Sequence, residues 1–250
     1  MDAAHALRQD STQLQKGGLL PVCRARPAYR LTIFDIDGTL LATDRFWITV
    51  AREAVAEVYR RHDIDLPLPS PEVLLDMIGR PNREGWRIAL PPEAYELADE
   101  IDLLATRGEE IAFARGLGGL YPGARGLLHD LAAAGTRLGV ASNCGLRFLD
   151  AFLTTFNLHS LFHETRCAES PGIGSKADMI EDILLHEDTR DAVMVGDRWN
   201  DREAALENRI PFVLFAGGFA GTERHPSDRV AVTYEELREI LLPTGADGTR

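Results

Sequence analysis

The sequence predicts an α/β fold in which a Rossmann-like parallel sheet carries helices on both faces and a helical segment is inserted after the first strand. Three observations predict it. Short apolar runs of β-favouring residues recur along the chain, helical patterns lie between them, and one long stretch has helical patterns but no such run. Alternation of strands and helices is typical of a parallel sheet, because parallel neighbours need a crossover connection.

The individual strands and helices follow from local composition. Leu31-Thr-Ile-Phe34 is a short apolar run that stops at acidic residues, as a buried strand does where it meets a loop. Similar runs occupy 137–141, 192–195 and 211–215. Helical patterns alternate with these runs, at about 122–134, 146–156, 176–186 and 201–208.

The stretch between the first two strands predicts a domain of its own. Residues 43–118 contain helical patterns and no comparable strand run. We therefore expect a small helical domain at 43–118, inserted into an α/β catalytic core that consists of residues 29–42 and 119–250. Residues 1–28 mix polar and small residues without sustained periodicity and are expected to form a flexible tail.

Composition excludes several classes of function. The formal net charge is -12 and no dense basic tract occurs, so nucleic acid is not an expected partner. No uninterrupted apolar run reaches roughly 18 residues, the length that spans a bilayer. The first 30 residues lack a signal peptide's apolar stretch, which predicts a cytoplasmic protein. We expect a small-molecule ligand, no membrane partner, and a monomer or homodimer.

The three cysteines are Cys23, Cys144 and Cys167. They are too few and too irregularly spaced for a disulfide framework, and their spacing does not fit a thiolate zinc site. Reduced thiols are therefore expected.

Polar residues follow the predicted strands and begin one of the helices. They are Asp35 and Asp37 after the first strand, Ser142 and Asn143 after the second, Asp197 and Asp201 after the third, and Lys176 at a helix start. In open α/β sheets ligands bind at the carboxyl ends of the strands, so these side chains are expected to converge. Converging carboxylates repel one another unless a cation relieves them, and oxygen ligands favour Mg²⁺.

A phosphate ester fits such an arrangement. Ser142 and loop amides would hold phosphoryl oxygens, and Lys176 would neutralise the charge that Mg²⁺ leaves. A carboxylate held by cations can attack phosphorus and form an aspartyl phosphate. Among 27 basic residues, Lys16 and Lys176 are the only lysines, which favours a specific use for a compact ammonium at position 176.

These residues resemble the four motifs of the haloacid dehalogenase superfamily, in the same order. The motifs are Asp35-Ile-Asp-Gly-Thr-Leu40, Ser142-Asn143, Lys176 and Gly196-Asp-Arg-Trp-Asn-Asp201. The resemblance extends over roughly residues 31–240, and the helical segment resembles the smaller cap of phosphoglycolate phosphatase-like enzymes. It implies a Mg²⁺-dependent phosphatase for a small phosphorylated metabolite. Ala177 is a departure, because the family often has proline after the lysine.

The resemblance implies a role for each motif residue. Asp35 would be the nucleophile, and Asp37 would protonate the leaving alcohol and then activate water. Lys176 would orient the phosphoryl group against Asp35. The substrate-binding residues would be Thr39, Ser142 and Asn143.

The resemblance also implies the metal ligands. Asp197 would bind Mg²⁺ together with Asp35 and the main-chain carbonyl of Asp37. Asp201 would support the metal through a water molecule or through Lys176.

A short loop in the helical segment is a candidate for substrate specificity. Met77-Ile-Gly-Arg-Pro-Asn-Arg83 interrupts a helical pattern with glycine and proline and carries two arginines. In the resembling family a loop at this place contacts the leaving group. Arg80, or else Arg83, is expected to bind a polar or anionic part of the substrate, unless both are solvated surface residues.

Other functions remain open to different degrees. Asp37 disfavours a haloacid dehalogenase, because that chemistry does not require a second acid. Residues 43–118 contain no lysine for the Schiff base of a phosphonoacetaldehyde hydrolase, which argues against that enzyme. A sugar phosphomutase would use the same nucleophile and acid. A non-catalytic binding domain that kept the fold is the alternative from another class of protein.

Overall fold

The structure is a computed structural model that describes residues 26–80, 82–218 and 224–243, with the backbone alone at 82 and 83. Most of the predicted tail lies outside the described residues, as do Lys16, Cys23 and the side chain of Arg83. The strands are β1 (Leu31–Phe34), β2 (Arg137–Ser142), β3 (Glu164–Cys167), β4 (Ala192–Gly196), β5 (Phe212–Phe215) and β6 (Arg229–Ala231). The helices are α1 (Trp47–Arg61), α2 (Pro71–Met77), α3 (Asn82–Ala89), α4 (Ala98–Ala114), α5 (Ala124–Ala133), α6 (Leu146–Thr155), α7 (Lys176–His186), α8 (Trp199–Glu207) and α9 (Tyr234–Leu241).

One parallel sheet of six strands organises the described residues, in the order β3-β2-β1-β4-β5-β6. The predicted α/β fold is confirmed. In the central register Phe34 of β1 pairs with Val140 of β2 and with Val195 of β4. β2 lies on one side of β1 and β4 lies on the other. The chain therefore builds the sheet outward from β1 in opposite directions. A crevice opens at this switch point, beyond the carboxyl ends of β1 and β4.

Side-chain alternation along β1 explains why helices cover both faces of the sheet. Leu31 and Ile33 are fully buried in a cluster with Ile180 and Ile183 of α7. Phe34 belongs to the other buried cluster, which includes Leu127 of α5. Successive strand residues point to opposite faces, so a strand that is apolar on both must be covered on both. This burial fixes β1 at the centre of the sheet.

Helices are the regular elements that the structure describes in 43–80 and 82–118, the segment called here the helical insert (residues 43–118). Besides α1 to α4, it holds 3-10 turns at Thr43–Arg45 and Pro92–Leu97. The predicted domain boundaries stay a proposal. None of the described helices is both long and apolar enough to cross a membrane.

Aromatic and charged contacts join the helical insert to the α/β core. Phe113 of α4 lies with its ring centroid 5.6 Å from that of Phe148 in α6 and 5.8 Å from that of Phe156. Beside this contact, Arg147 of α6 forms an ion pair of 2.7 Å with Glu110 of α4. Packing of this kind places α4 over the carboxyl edge of the sheet.

Candidate active site

The acidic residues of the first and fourth motifs meet at the switch point of the sheet. Asp35 follows β1 directly and its backbone amide donates to the carbonyl of Val195 in β4. Asp197 follows β4 and is fully buried, and Asp35 is 2 % exposed. One carboxylate oxygen from each of Asp35, Asp197 and Asp201 lies within 4.8 Å of the others. The sheet thus brings Asp35 together with two acids of the fourth motif that lie far from it in sequence.

Lys176 links two of these acids. Its Nζ donates to Asp35 Oδ1 at 2.8 Å and to Asp201 Oδ1 at 2.5 Å, and its side chain is buried. Ser175 caps α7 by accepting a hydrogen bond from the amide of Asp178, which makes Lys176 the first residue of that helix. Burial opposes the charged ammonium, but the carboxylates of Asp201 and Asp35 outweigh it and raise the pKa of Lys176. The lysine is held as a cation.

Asp201 is fixed by the helix that carries it. Its Oδ2 accepts a hydrogen bond from the amide of Arg198, which precedes α8, while its Oδ1 accepts from Lys176. The carboxylate folds back so closely that a Cβ on Gly196 would meet Asp201 Oδ2 at 2.3 Å. A side chain at position 196 would therefore displace the acid, which explains the glycine in this motif.

Asp197 has the features of a metal ligand. Both of its carboxylate oxygens are buried and neither has a hydrogen-bond partner. Burial raises the pKa of Asp197 well above its usual range, and the nearby acids Asp35 and Asp201 raise it further. Such a group is unfavourable unless a cation satisfies it, and oxygen donors suit Mg²⁺. These residues fit the predicted metal, and the assignment of particular ligands stays a prediction.

Asp35 and Asp37 have different partners although one residue separates them. Burial raises the pKa of Asp35 to about 7 even though Lys176 lowers it. Asp37 points toward the helical insert, where its Oδ1 accepts a hydrogen bond of 2.5 Å from Thr43 Oγ1. Burial raises the pKa of Asp37 as well, and the Thr43 hydrogen bond opposes that rise. The Asp37 carboxylate therefore lies outside the group of three, and only its main-chain carbonyl is predicted to bind metal.

Two hydroxyl groups beside the acids lack partners. Ser142 Oγ, at the end of β2, and Thr39 Oγ1, in the first motif, are buried without a hydrogen bond. Buried hydroxyls normally find partners in the protein or in a bound molecule. Both side chains are free to bind a phosphoryl oxygen, which agrees with their predicted roles.

The other two predicted substrate residues contact the protein itself. Asn143 donates from Nδ2 to the carbonyl oxygen of Gly79 in the helical insert at 2.9 Å. The Arg80 guanidinium lies 3.2 Å from Asp76 and 3.5 Å from Glu84, and its side chain is 21 % exposed. Both residues line the cavity between insert and core. Their predicted contacts with substrate stay predictions.

Several residues at the site were not predicted from the sequence. Thr43, which binds Asp37, had no motif around it. Arg198 and Asn200 lie inside the fourth motif, but their contacts were not foreseen: Arg198 donates to the carbonyl of Leu75 and Asn200 to that of Gly79, both at 3.0 Å. The sequence signal that could have found them is their place between Asp197 and Asp201.

Gly218 and Glu109 were also missed. A Cβ on Gly218 would lie 2.2 Å from the carbonyl oxygen of Gly38, so the loop after β5 packs its backbone against the first motif. Glu109 of α4 is a buried acid in the cavity beside Asp37. Neither residue belongs to a recognisable pattern in the sequence.

Known proteins resemble this chain in sequence and in fold. The chain is 30% identical over 220 residues to the tyrosine-protein kinase PtkA of Mycobacterium tuberculosis. The aligned region covers 85% of this chain and 72% of the relative. The solved structure of that kinase matches with a TM-score of 0.67 and 26% identity, over 85% of this chain and 97% of the other. A predicted phosphatase from Clostridium acetobutylicum matches with a TM-score of 0.69 and 22% identity, over 85% and 97%.

The family model for haloacid dehalogenase-like hydrolases matches residues 32–215. This range contains all four motifs, the helical insert and the strands from β1 to β5, except Leu31 at the start of β1. The resemblance inferred from the motifs and the prediction of an enzyme of this class are both confirmed. With its switch-point acids, its buried lysine and its match over most of the length, the chain belongs to the haloacid dehalogenase-like hydrolase family.

Proposed function

We propose that the protein is a Mg²⁺-dependent phosphatase that hydrolyses a small phosphorylated metabolite through a phosphoryl group carried on Asp35. The observation that carries the proposal is the contact of Lys176 Nζ with Asp35 at 2.8 Å beside an Asp197 carboxylate that lacks any hydrogen-bond donor. Asp35 is held in place as a nucleophile by the Lys176 ammonium, and Asp197 has no hydrogen-bond donor of its own. This combination suits phosphoryl transfer.

Asp35 acts as the nucleophile in this mechanism. Its carboxylate attacks phosphorus, a bond forms between a carboxylate oxygen and phosphorus, and the bond from phosphorus to the alcohol oxygen breaks. Lys176 holds Asp35 in position and balances the negative charge of the transferring group. Asp201 in turn holds Lys176 through its contact of 2.5 Å.

Asp37 serves as the general acid and then as the general base. It gives its proton to the leaving alcohol oxygen and, after the alcohol has left, takes a proton from the water that attacks the phosphoryl group on Asp35. The Thr43 hydrogen bond fixes its carboxyl group toward the helical insert, on the side from which a leaving group would depart. The two acids of the first motif thus have different partners: Lys176 contacts Asp35, and Thr43 orients Asp37.

Asp197, Asp35 and the main-chain carbonyl of Asp37 would hold Mg²⁺, with Asp201 in support. When bound, Mg²⁺ supplies charge neutralisation for the phosphoryl oxygens. Ser142 and Thr39 donate hydrogen bonds from their free hydroxyls to the same phosphoryl group.

The test is phosphate release from a panel of phosphorylated metabolites with Mg²⁺ present. We expect Asp35→Asn to lower kcat by about three orders of magnitude or more, because an amide is a poor nucleophile. Asp150→Asn, a matched change at a carboxylate that is 79% exposed on α6, should leave turnover unchanged. Turnover of Asp35→Asn within a few-fold of the wild type would exclude the proposed nucleophile.

A phosphotransferase is the second candidate, because the 30% identical relative is named a tyrosine-protein kinase. A phosphoryl group on Asp35 can pass to water or to a hydroxyl acceptor, and the same machinery serves both. Incubation with ATP labelled in its terminal phosphate, Mg²⁺ and a tyrosine-containing peptide separates the two functions. Label in the peptide would favour a kinase, and label in free phosphate would favour hydrolysis. A mutase would be recognised in a separate incubation with a labelled sugar phosphate, by retention of the phosphoryl group on the product.

A further inference from the structure

A small cavity lies between the helical insert and the core, on the side of Asp37 away from the three converging acids. Its volume is about 60 Å³. Since an apolar cavity of about 150 Å³ holds one benzene molecule, a cavity of this volume has room for a smaller group of only a few heavy atoms. Asp37 lines it together with Trp47, Trp86 and Phe148. A leaving group that receives its proton from Asp37 would occupy this space.

The charged side chains around this cavity are mainly acidic. Asp37, Asp102 and Glu109 line it, and Arg80 is the basic residue that lines it within the described part of the chain. The Arg80 guanidinium is already engaged by Asp76 and Glu84, at 3.2 and 3.5 Å. An anionic leaving group would therefore meet two acids of α4 and a cation whose charge is balanced.

Glu109 is the unusual member of this set. It is 9% exposed, and the charged neighbours that act on it are Asp37, Asp102 and Glu110, all of them acidic. Its hydrogen-bond donor is the neutral side chain of Trp47, and no described basic residue forms an ion pair with it. Burial of a carboxylate without a cation is unfavourable, so the side chain suits a ligand that brings positive charge.

Aromatic walls complete the site. The rings of Trp47 and Trp86 lie 6.1 Å apart between centroids, and Trp86 donates from its indole nitrogen to Asp102 at 2.9 Å. Trp47, next to Glu109, is 8% exposed and Trp86 is 2% exposed. Both rings line the cavity and give it an apolar wall beside the Glu109 carboxylate, which suits the methylene groups of a short alkylammonium.

We propose that this cavity binds an ammonium group on the substrate's leaving alcohol against Glu109, which makes the substrate a short phosphorylated amino alcohol and not a phosphorylated carboxylic acid. The inference rests on the proposed phosphatase function, because it takes the cavity as the site of the leaving group. Glu109 is then the residue that determines specificity.

Three esters of similar size test the proposal, because their terminal groups are positive, neutral and negative in turn. They are 2-aminoethyl phosphate, 2-hydroxyethyl phosphate and carboxymethyl phosphate. For the wild type with Mg²⁺ we expect kcat/KM to fall in that order, with about 100-fold or more between the first and the last, since a charge-assisted hydrogen bond is replaced by like-charge repulsion.

Glu109→Gln should reduce this discrimination at least about tenfold, because only the charge facing the amine is removed. Glu53→Gln removes the same charge from an exposed position on α1 and should leave the order and the ratio unchanged. Equal kcat/KM for the three esters, a preference for carboxymethyl phosphate, or a ratio that Glu109→Gln does not alter would overturn the proposal. Should Glu109→Gln fail to fold, the ranking by the wild type decides alone.

A binding measurement separates failure of this inference from failure of the phosphatase proposal. If neither these three esters nor any member of the metabolite panel is hydrolysed, the phosphatase proposal is wrong. Thermal stabilisation by 2-aminoethylphosphonate in the presence of Mg²⁺, absent with phosphonoacetate and lost in Glu109→Gln, would still support the ammonium site. Equal stabilisation by both phosphonates, or by neither, would exclude it.

Discussion

At the scale of single residues, the first motif separates two carboxyl groups by their partners. Asp35 contacts an ammonium at 2.8 Å and Asp37 a hydroxyl at 2.5 Å. The ammonium stabilises the charged form of Asp35 against burial, as a nucleophile requires. The hydroxyl orients Asp37 toward the cavity between the helical insert and the core without supplying a full charge. Position along the chain is nearly the same for both, so environment decides their roles.

The different environments predict different consequences of the two amide substitutions. Asp37→Asn should lower kcat on an alkyl phosphate by about 100-fold or more, because the leaving alcohol then receives no proton. An activated aryl ester needs less protonation and should lose far less activity. Steady-state kinetics on both esters checks this, with Asp65→Asn at an exposed position of the helical insert as control. Equal losses on the two esters would mean that Asp37 has only a structural role.

At the scale of elements, the turn between α2 and α3 is held by core loops. The Gly79 carbonyl accepts one hydrogen bond from Asn143, after β2, and one from Asn200, at the start of α8. Arg198 reaches the carbonyl of Leu75 in α2. Gly79 has φ of 82°, a backbone conformation that glycine adopts without strain and that directs the chain from one helix to the next. Loops that carry motif residues therefore also position the insert above them.

Loss of one of these hydrogen bonds should weaken closure of the cavity. Asn200→Ala is expected to raise KM by about 2- to 10-fold with a smaller change in kcat, since one hydrogen bond contributes about 0.5–1.5 kcal/mol. Asn143 and Asn200 share a single acceptor, so the double alanine variant should lose more than the sum of the single losses, by about 0.5 kcal/mol. Additive losses in this double-mutant cycle would indicate that the two contacts are independent.

At the scale of the whole molecule, the sheet concentrates negative charge at its centre. Three buried acids converge there around one lysine, and both oxygens of Asp197 lack donors. Folding must therefore offset repulsion at the point where β1 and β4 diverge. A cation that binds only the folded state would recover that free energy.

Mg²⁺ should accordingly raise the melting temperature. At roughly 100 times its Kd the ion would stabilise the fold by about 2.7 kcal/mol, and a chelator should reverse the shift. Asp197→Asn should melt at a higher temperature than the wild type in the absence of metal, because a buried charge is removed, and should lose the response to Mg²⁺. Differential scanning fluorimetry measures both quantities. An unchanged Mg²⁺ response in Asp197→Asn would place the metal elsewhere.

Within the fold, the central strands were predictable and the edges were not. The four predicted runs correspond to β1, β2, β4 and β5, whose residues are almost wholly buried and therefore apolar. The sequence of β3 is Glu-Thr-Arg-Cys, with three half-buried residues, and β6 has only three residues. Edge strands obtain their structure from pairing with a neighbour, which local composition does not reveal. Both were missed for that reason.

The sequence by itself determined which groups are candidates for the chemistry, because acids and hydroxyls placed after buried strands meet at one edge of a parallel sheet, and a lysine begins a helix there. Only the tertiary structure decided how each group is held. Asn200 and Gly79 lie 121 positions apart, and Asn143 and Gly79 lie 64 apart, yet each pair shares a hydrogen bond. Glu109 likewise became part of a cavity only when α4 packed over the sheet. Such contacts depend on how separate elements pack, and no short stretch of sequence encodes that packing.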